Sequence, residues 1–211
     1  MNPFQNSNIK QTIVVCDGLT YGNNAGTIVR QCTIFGCDAI IFCPLDETRL
    51  NKIELDLNDK IIKNIGDKYQ NNFHIYQLKN IYRDINNRIR YTKNFKKLVK
   101  KFSMNHCAHI KIFYDIPINK IIEEALKNNF QIFRLENKNK IKSIFSTDLS
   151  FNKVMLIVGN ESEGICDYIM ENKNIQDLYI PSNINLDSLN VASSATIACF
   201  ERFRQFSQIR L

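Results

Sequence analysis

Short β-branched runs alternate with helix-spaced apolar residues along this chain. Thr12 to Cys16 (TIVVC) reads as a buried strand. Residues 17–26 are turn-rich. Thr27 to Phe35 then places Ile28, Cys32 and Phe35 on one face of a helix, which Gly36 ends. Ala39 to Phe42 (AIIF) predicts a second strand, closed by Pro44. The alternation resumes with a strand at Ile110 to Tyr114, a helix at Ile118 to Asn128 opened near Pro117, and a strand at Phe130 to Leu135. Val154 to Val158 (VMLIV) is the clearest buried strand. A glycine-bearing turn and a short helix follow it, then a short strand at Leu178 to Ile180 and a long helix from Val191 to Gln208. Strands alternating with helices predict an α/β domain with a mostly parallel sheet.

The middle is less regular. Residues 45–105 are rich in Asn, Lys and Ile; Lys60 to Ile65 and Ile81 to Phe102 predict helices. Residues 83–101 (RDINNRIRYTKNFKKLVKK) are strongly basic. That run is either a solvated helix face or an arm that contacts RNA.

Composition narrows the class. A chain of 211 residues suits one domain, with or without an insertion, and 44% hydrophobic content supports a real core. The net charge of +7 suits a phosphate-rich partner. Seven cysteines in irregular spacing, with no C-x-x-C, argue against a disulfide framework or a zinc ribbon. Reduced thiols place the chain inside the cell, the cytoplasm first and an organelle as the alternative. No apolar stretch approaches a membrane span.

Three clusters carry candidate chemistry. The first is Asn24-Ala25-Gly26-Thr27-Ile28-Val29-Arg30, where Asn24 reads as a helix N-cap unless it is held for function. The second is VMLIVGNESEGI, residues 154–165, where Gly159, Asn160, Glu161 and Gly164 follow a buried strand. Glycines there let backbone approach a ligand, and the order is neither G-x-G-x-x-G nor a P-loop. The third is YIPSNINLDSLNVASSATIACFERFRQ, residues 179–205, in which Ser188 reads as a cap and small residues open the last helix. A lesser cluster, His106, Cys107 and His109, lacks the further ligands a metal would need.

In this order the three clusters resemble the TrmH (SpoU) branch of the SPOUT methyltransferases, which are S-adenosylmethionine-dependent RNA ribose 2′-O-methyltransferases. Each segment is generic alone; the ordered triple is specific and frames the chain from about Ile13 to Phe203. The resemblance implies an α/β domain with helices on both faces of the sheet and a C-terminal deep trefoil knot. It implies a homodimer with its site near the subunit interface. About ten residues precede the first strand, so a single methylase domain without the family's frequent N-terminal RNA-binding domain is expected. Residues 45–102 are longer than the family pattern.

The resemblance also implies roles. Arg30, Asn24, Glu161, Ser188 and Asn190 match the catalytic positions; Gly159, Asn160, Gly164, Ile180 and Leu189 match the cofactor loops. No metal is implied. After Ser103 the family carries small residues with a glycine, whereas this chain has Met104-Asn105-His106. A ribose hydroxyl is a poor nucleophile at neutral pH, so its activation is the central problem. A guanidinium keeps its proton in water, so Arg30 is expected to grip phosphate and stabilise the developing alkoxide rather than act as a simple base. Asn24, Ser188 and Asn190 would orient Arg30 and the ribose, and Glu161 would orient its loop or meet a cation. The expected substrate is tRNA ahead of rRNA. A degenerate RNA-binding module, a base-nitrogen methylase and a small-molecule α/β enzyme are the rivals.

Overall fold

The structure is a computed structural model in which residues 3–4, 10–63, 78–136, 142–183 and 189–208 are described. Six strands form one parallel sheet: β1 (Gln11–Asp17), β2 (Ala39–Cys43), β5 (Lys111–Tyr114), β6 (Gln131–Leu135), β7 (Lys153–Val158) and β8 (Ile175–Leu178). Their order is β5-β2-β1-β7-β6-β8. Central strand β1 sets Ile13 beside Ala39 on one side and Met155 on the other.

A parallel sheet is covered on both faces, and the strand residues divide by parity. Val14, Cys16, Ile40, Phe42, Leu156 and Val158 join one core cluster, which includes residues of α1 (Gly22–Ile34), α3 (Lys93–Phe102) and α6 (Val191–Gln208). Ile13, Val15, Ile41, Met155 and Ile157 join the other, with residues of α4 (Ile118–Lys127) and α5 (Asp167–Met170). The helices therefore sit on both faces, as the resemblance implied. The segment 184–188, which the expected knot would involve, lies outside the described residues.

Four expectations are corrected. Helix α1 begins at Gly22, five residues before the predicted start. A Gly-Asn-Asn string reads as a turn, but a Cβ at Gly22 or Gly26 would stand 2.4 Å from Leu98 Cβ or 2.5 Å from Phe102 Cβ. Those glycines serve the close approach of α3 to α1. Second, Ile81 to Phe102 is not one helix. It is a hairpin, β3 (Ile81–Arg83) with β4 (Ile89–Tyr91), followed by α3. The Asp84 carboxylate accepts from the Asn86 and Arg88 N–H groups, both at 2.9 Å, and Asn87 takes φ 57°. This side-chain turn overrides helix propensity. Thr92 then caps α3, accepting from Phe95 N–H at 3.2 Å.

Third, the last strand lies at Ile175–Leu178, three residues before the predicted start. Beyond it Tyr179 pairs with the 142–144 segment instead of β6. In the middle, α2 spans Glu47–Lys63, so the helix predicted from Lys60 begins a full three turns earlier. Its opening turn is capped by Asp46, which accepts from Arg49 N–H at 2.9 Å.

Candidate active site

The chain leaves β1 toward β2 on one side, and leaves β7 for β8 on the other side of the sheet. Loops that diverge from the carboxyl ends of adjacent parallel strands open a crevice there. A cavity of about 250 Å³ lies at this edge, beyond the ends of β6, β7 and β8. Val158, Leu178, Ile180 and Leu189 give it apolar walls, and the loop from Gly159 to Gly164 gives it a polar floor.

That loop is locked by its own backbone. Asn160 and Gly164 exchange N–H to O bonds of 2.8 and 3.1 Å. A Cβ on Gly159 would meet Gly164 carbonyl carbon at 2.5 Å, so only glycine fits. The Asn160 side chain is consumed internally. Its amide donates to Gly18 O at 2.7 Å, and its Oδ1 accepts from Ser162 N, Ser162 Oγ and Glu163 N.

Glu161 reaches back to the start of α1. Its Oε1 accepts from Tyr21 N–H and Asn24 Nδ2, both at 3.2 Å, and its Oε2 from Thr20 N–H at 3.4 Å. Burial raises its carboxyl above the ordinary value, and these donors work against that rise. A carboxylate here also satisfies helix-terminal N–H groups and faces the positive end of the helix. Tyr21, the N-cap residue, makes no side-chain cap, and Asn24 lies inside the helix. Asn24 is thus not the N-cap that a bland reading would make it.

Asn24 instead joins the three clusters. Its amide donates to Glu161, and its Oδ1 accepts from Asn190 Nδ2 at 3.3 Å. Asn190 Oδ1 in turn accepts from Ala192 N–H at 2.9 Å and Ser193 N–H at 3.3 Å, capping α6. The cap expected at Ser188 is therefore Asn190; Ser188 itself lies outside the described residues. Gly159, Asn160, Glu161, Gly164, Ile180, Leu189 and Asn190 all line the cavity.

Arg30 does not line it. It projects from α1 toward the turn after α3, where its Nη1 meets Met104 Sδ at 3.1 Å. Its Nε is buried with no hydrogen-bond partner among the described residues. The turn below it is strained: Met104 (φ 50°) and Asn105 (φ 69°) are consecutive left-handed residues. This is the place where the family pattern has small residues with a glycine. His106 Nδ1 faces the Ser103 carbonyl at 2.9 Å, and Cys107 Sγ the Ser103 hydroxyl at 2.9 Å.

The sequence reading missed the device that anchors the loop. Arg49 on α2 bonds Asp17 at the end of β1 through Nη2 at 2.7 Å and Nη1 at 3.1 Å. The same Nη1 donates to Gly164 O at 2.9 Å, and Asp17 accepts from Cys166 N–H at 2.9 Å. Burial would lower the Arg49 pKa, but the Asp17 charge outweighs it and holds the guanidinium above its usual value. No motif marks this pair; an acid closing a strand and an arginine in a weakly periodic segment are ordinary features.

A second cluster is chemical in type but not in behaviour. Cys32, Cys37 and Cys199 bring their sulfurs to 3.8 and 4.0 Å in the core. Among the described residues no fourth ligand joins them, short of the four a structural zinc takes. They pack as small apolar side chains.

A sequence model of the SpoU rRNA methylase family matches residues 85–200, more than half of the chain. The chain belongs to the SpoU rRNA methylase family. No curated protein matches it. Solved structures agree on the SpoU fold. An AdoMet-bound rRNA methyltransferase from Sinorhizobium meliloti superposes with TM-score 0.67 at 18% identity, over 97% of this chain and 60% of its own. This chain thus spans about 60% of that protein's length. The A. aeolicus TrmH/SpoU tRNA modifying enzyme gives TM-score 0.62 at 20% identity, over 95% and 78%. A third protein, described through the 2-OH methylation of C/U34 on tRNA, gives TM-score 0.62 at 16% identity, over 95% and 99%. At these identities the likeness establishes the fold. Among the described residues, no helix is long and apolar enough to cross a membrane.

Proposed function

We propose that this SpoU-family chain methylates a ribose 2′-hydroxyl of RNA, with S-adenosylmethionine as donor and tRNA ahead of rRNA as substrate. The observation that carries this reading is the hydrogen-bonded chain Glu161–Asn24–Asn190, which gathers three distant segments at the rim of one cavity. The cavity's makeup fits the donor. Apolar Ile180 and Leu189 suit an adenine, and the Gly159–Gly164 loop lets backbone come close. When bound, S-adenosylmethionine supplies an electrophilic methyl on a sulfonium. The protein that matches C/U34 methylation on tRNA is covered over 99% of its length, so little beyond this fold is present there.

Arg30 supplies the remaining requirement. Its guanidinium grips a phosphate and donates toward the ribose oxygen, so that alkoxide character develops beside a cation. The proton leaves to phosphate or solvent. Because Arg30 stands away from its own chain's cavity, we infer a homodimer in which each Arg30 serves the cavity of the partner. Exposed Ile34, Phe200 and Phe203 lie on α1 and α6, with Phe35 ring contacts to Phe200 and Phe203 at 5.7 and 6.1 Å. Apolar exposure of this kind suits burial against a second copy.

The test is Arg30→Ala with total RNA and labelled S-adenosylmethionine, followed by mapping of alkali-resistant linkages. The expected result is loss of methyl transfer with donor affinity, measured by calorimetry, nearly unchanged. Full single-turnover activity in that variant would sink the assignment. Methyl groups on base nitrogens would replace the ribose with a base as target.

A further inference from the structure

Seven of the eight basic residues in the run at 83–101 fall into two populations; the eighth, Arg88, lies in the turn between β3 and β4. Arg83 pairs with Glu47 at 2.6 Å, Arg90 with Asp84 at 3.0 Å and Lys96 with Asp115 at 3.0 Å. These charges are already answered within the fold. Lys93, Lys97, Lys100 and Lys101 are exposed, and none makes an ion pair among the described residues. Their spacing of four, three and one residues draws one stripe along the solvent side of α3.

The opposite side of α3 fixes where that stripe leads. Phe95 and Val99 are buried, and Leu98 and Phe102 close over Gly22 and Gly26 of α1. The two helices are thereby held against each other. The C-terminal end of α3, with Lys100 and Lys101, passes into the Met104 turn that touches Arg30. From Lys93 to Lys101 the stripe covers about 12 Å of helix. The helix holds five lysines and no acid, so like charges stand four apart at 93/97, 96/100 and 97/101. Such pairs oppose helix formation unless an anion answers them. Cations in the last turn do suit the helix dipole, which accounts for Lys100 and Lys101 but not for Lys93 and Lys97.

We propose that this stripe is an RNA-backbone track: Lys93, Lys97, Lys100 and Lys101 hold phosphates of the strand whose ribose is presented to Arg30. This rests on the RNA methylation reading above and adds to it the path of the substrate. Phosphate contacts position a strand without reading its sequence, so the track sets which ribose arrives without choosing its base.

The test compares two charge-matched variants of the full chain binding unfractionated tRNA over a range of salt. One is Lys97→Gln with Lys100→Gln. The other is Lys120→Gln with Lys173→Gln, exposed lysines on and beside the elements of the other sheet face. Each phosphate contact contributes about 0.7 to 0.9 to the slope of log K against log salt. The stripe variant should therefore lose about 1.4 to 1.8 of slope, and its KM for RNA should rise while kcat at saturating RNA holds. The control should keep the parent slope. Equal changes in both variants, or none in the first, overturn the track alone. A parent chain with no salt-dependent RNA binding overturns both the track and the function it rests on.

Discussion

Glu161 is a half-buried acid whose carboxylate accepts hydrogen bonds, and its protonation ties the site to pH. Burial raises its pKa in the folded chain above the ordinary 4.5. The folded state then holds the proton more firmly than the unfolded one. Stability from this group is therefore fully present below 4.5 and is lost as pH rises through the folded value. Urea midpoints of the parent and Glu161→Gln, taken from about pH 4 to 8, should show the parent losing ground as pH climbs, then levelling. A constant difference would contradict the burial argument. Gly159 gives a second, pH-independent prediction. Gly159→Ala forces a methyl into the Gly164 backbone, and overpacking of that kind costs about 1 to 3 kcal/mol. Its thermal midpoint should fall, and donor binding should fall with it.

At the scale of elements, the Asp17–Arg49 pair joins β1, α2 and the cavity loop. Breaking a buried pair from one side leaves an uncompensated charge, at about 3 to 5 kcal/mol. Asp17→Asn should show that loss in urea denaturation, and the partly relaxed Gly164 loop should weaken donor binding as well. The strands were readable because fully buried parallel strands are short continuous apolar runs, as in VMLIV. The start of α1 was not, because its acceptor is a carboxylate 137 residues away from Asn24. No local window contains that information. The β3–β4 hairpin was missed because the basic residues around it are helix formers, while one aspartate decides the turn. In the structure Asn24, Glu161 and Asn190, one from each of the three motifs, are joined by hydrogen bonds, whereas the Arg49 anchor had no local signature.

For the whole molecule, the question is whether one copy suffices. If each Arg30 serves the partner's cavity, mixing Arg30→Ala chains with Asn190→Ala chains creates hybrids that hold one intact site. Random exchange should restore about a quarter of parental activity. Two inactive variants that stay inactive on mixing would place Arg30 and the cavity in the same copy. Phe200→Asp with Phe203→Asp should yield monomers by sedimentation and, on the same argument, abolish transfer.

The Glu161 bridge to Asn24 has one more consequence, for how the chain emerges from the ribosome. The first turn of α1 is translated long before the carboxylate that completes it. At about 5 to 20 residues per second, the 137-residue separation is a wait of about 7 to 27 seconds. During that interval the Thr20 and Tyr21 amides and the Asn24 side chain lack the acceptor that the folded chain gives them, so water must serve in its place.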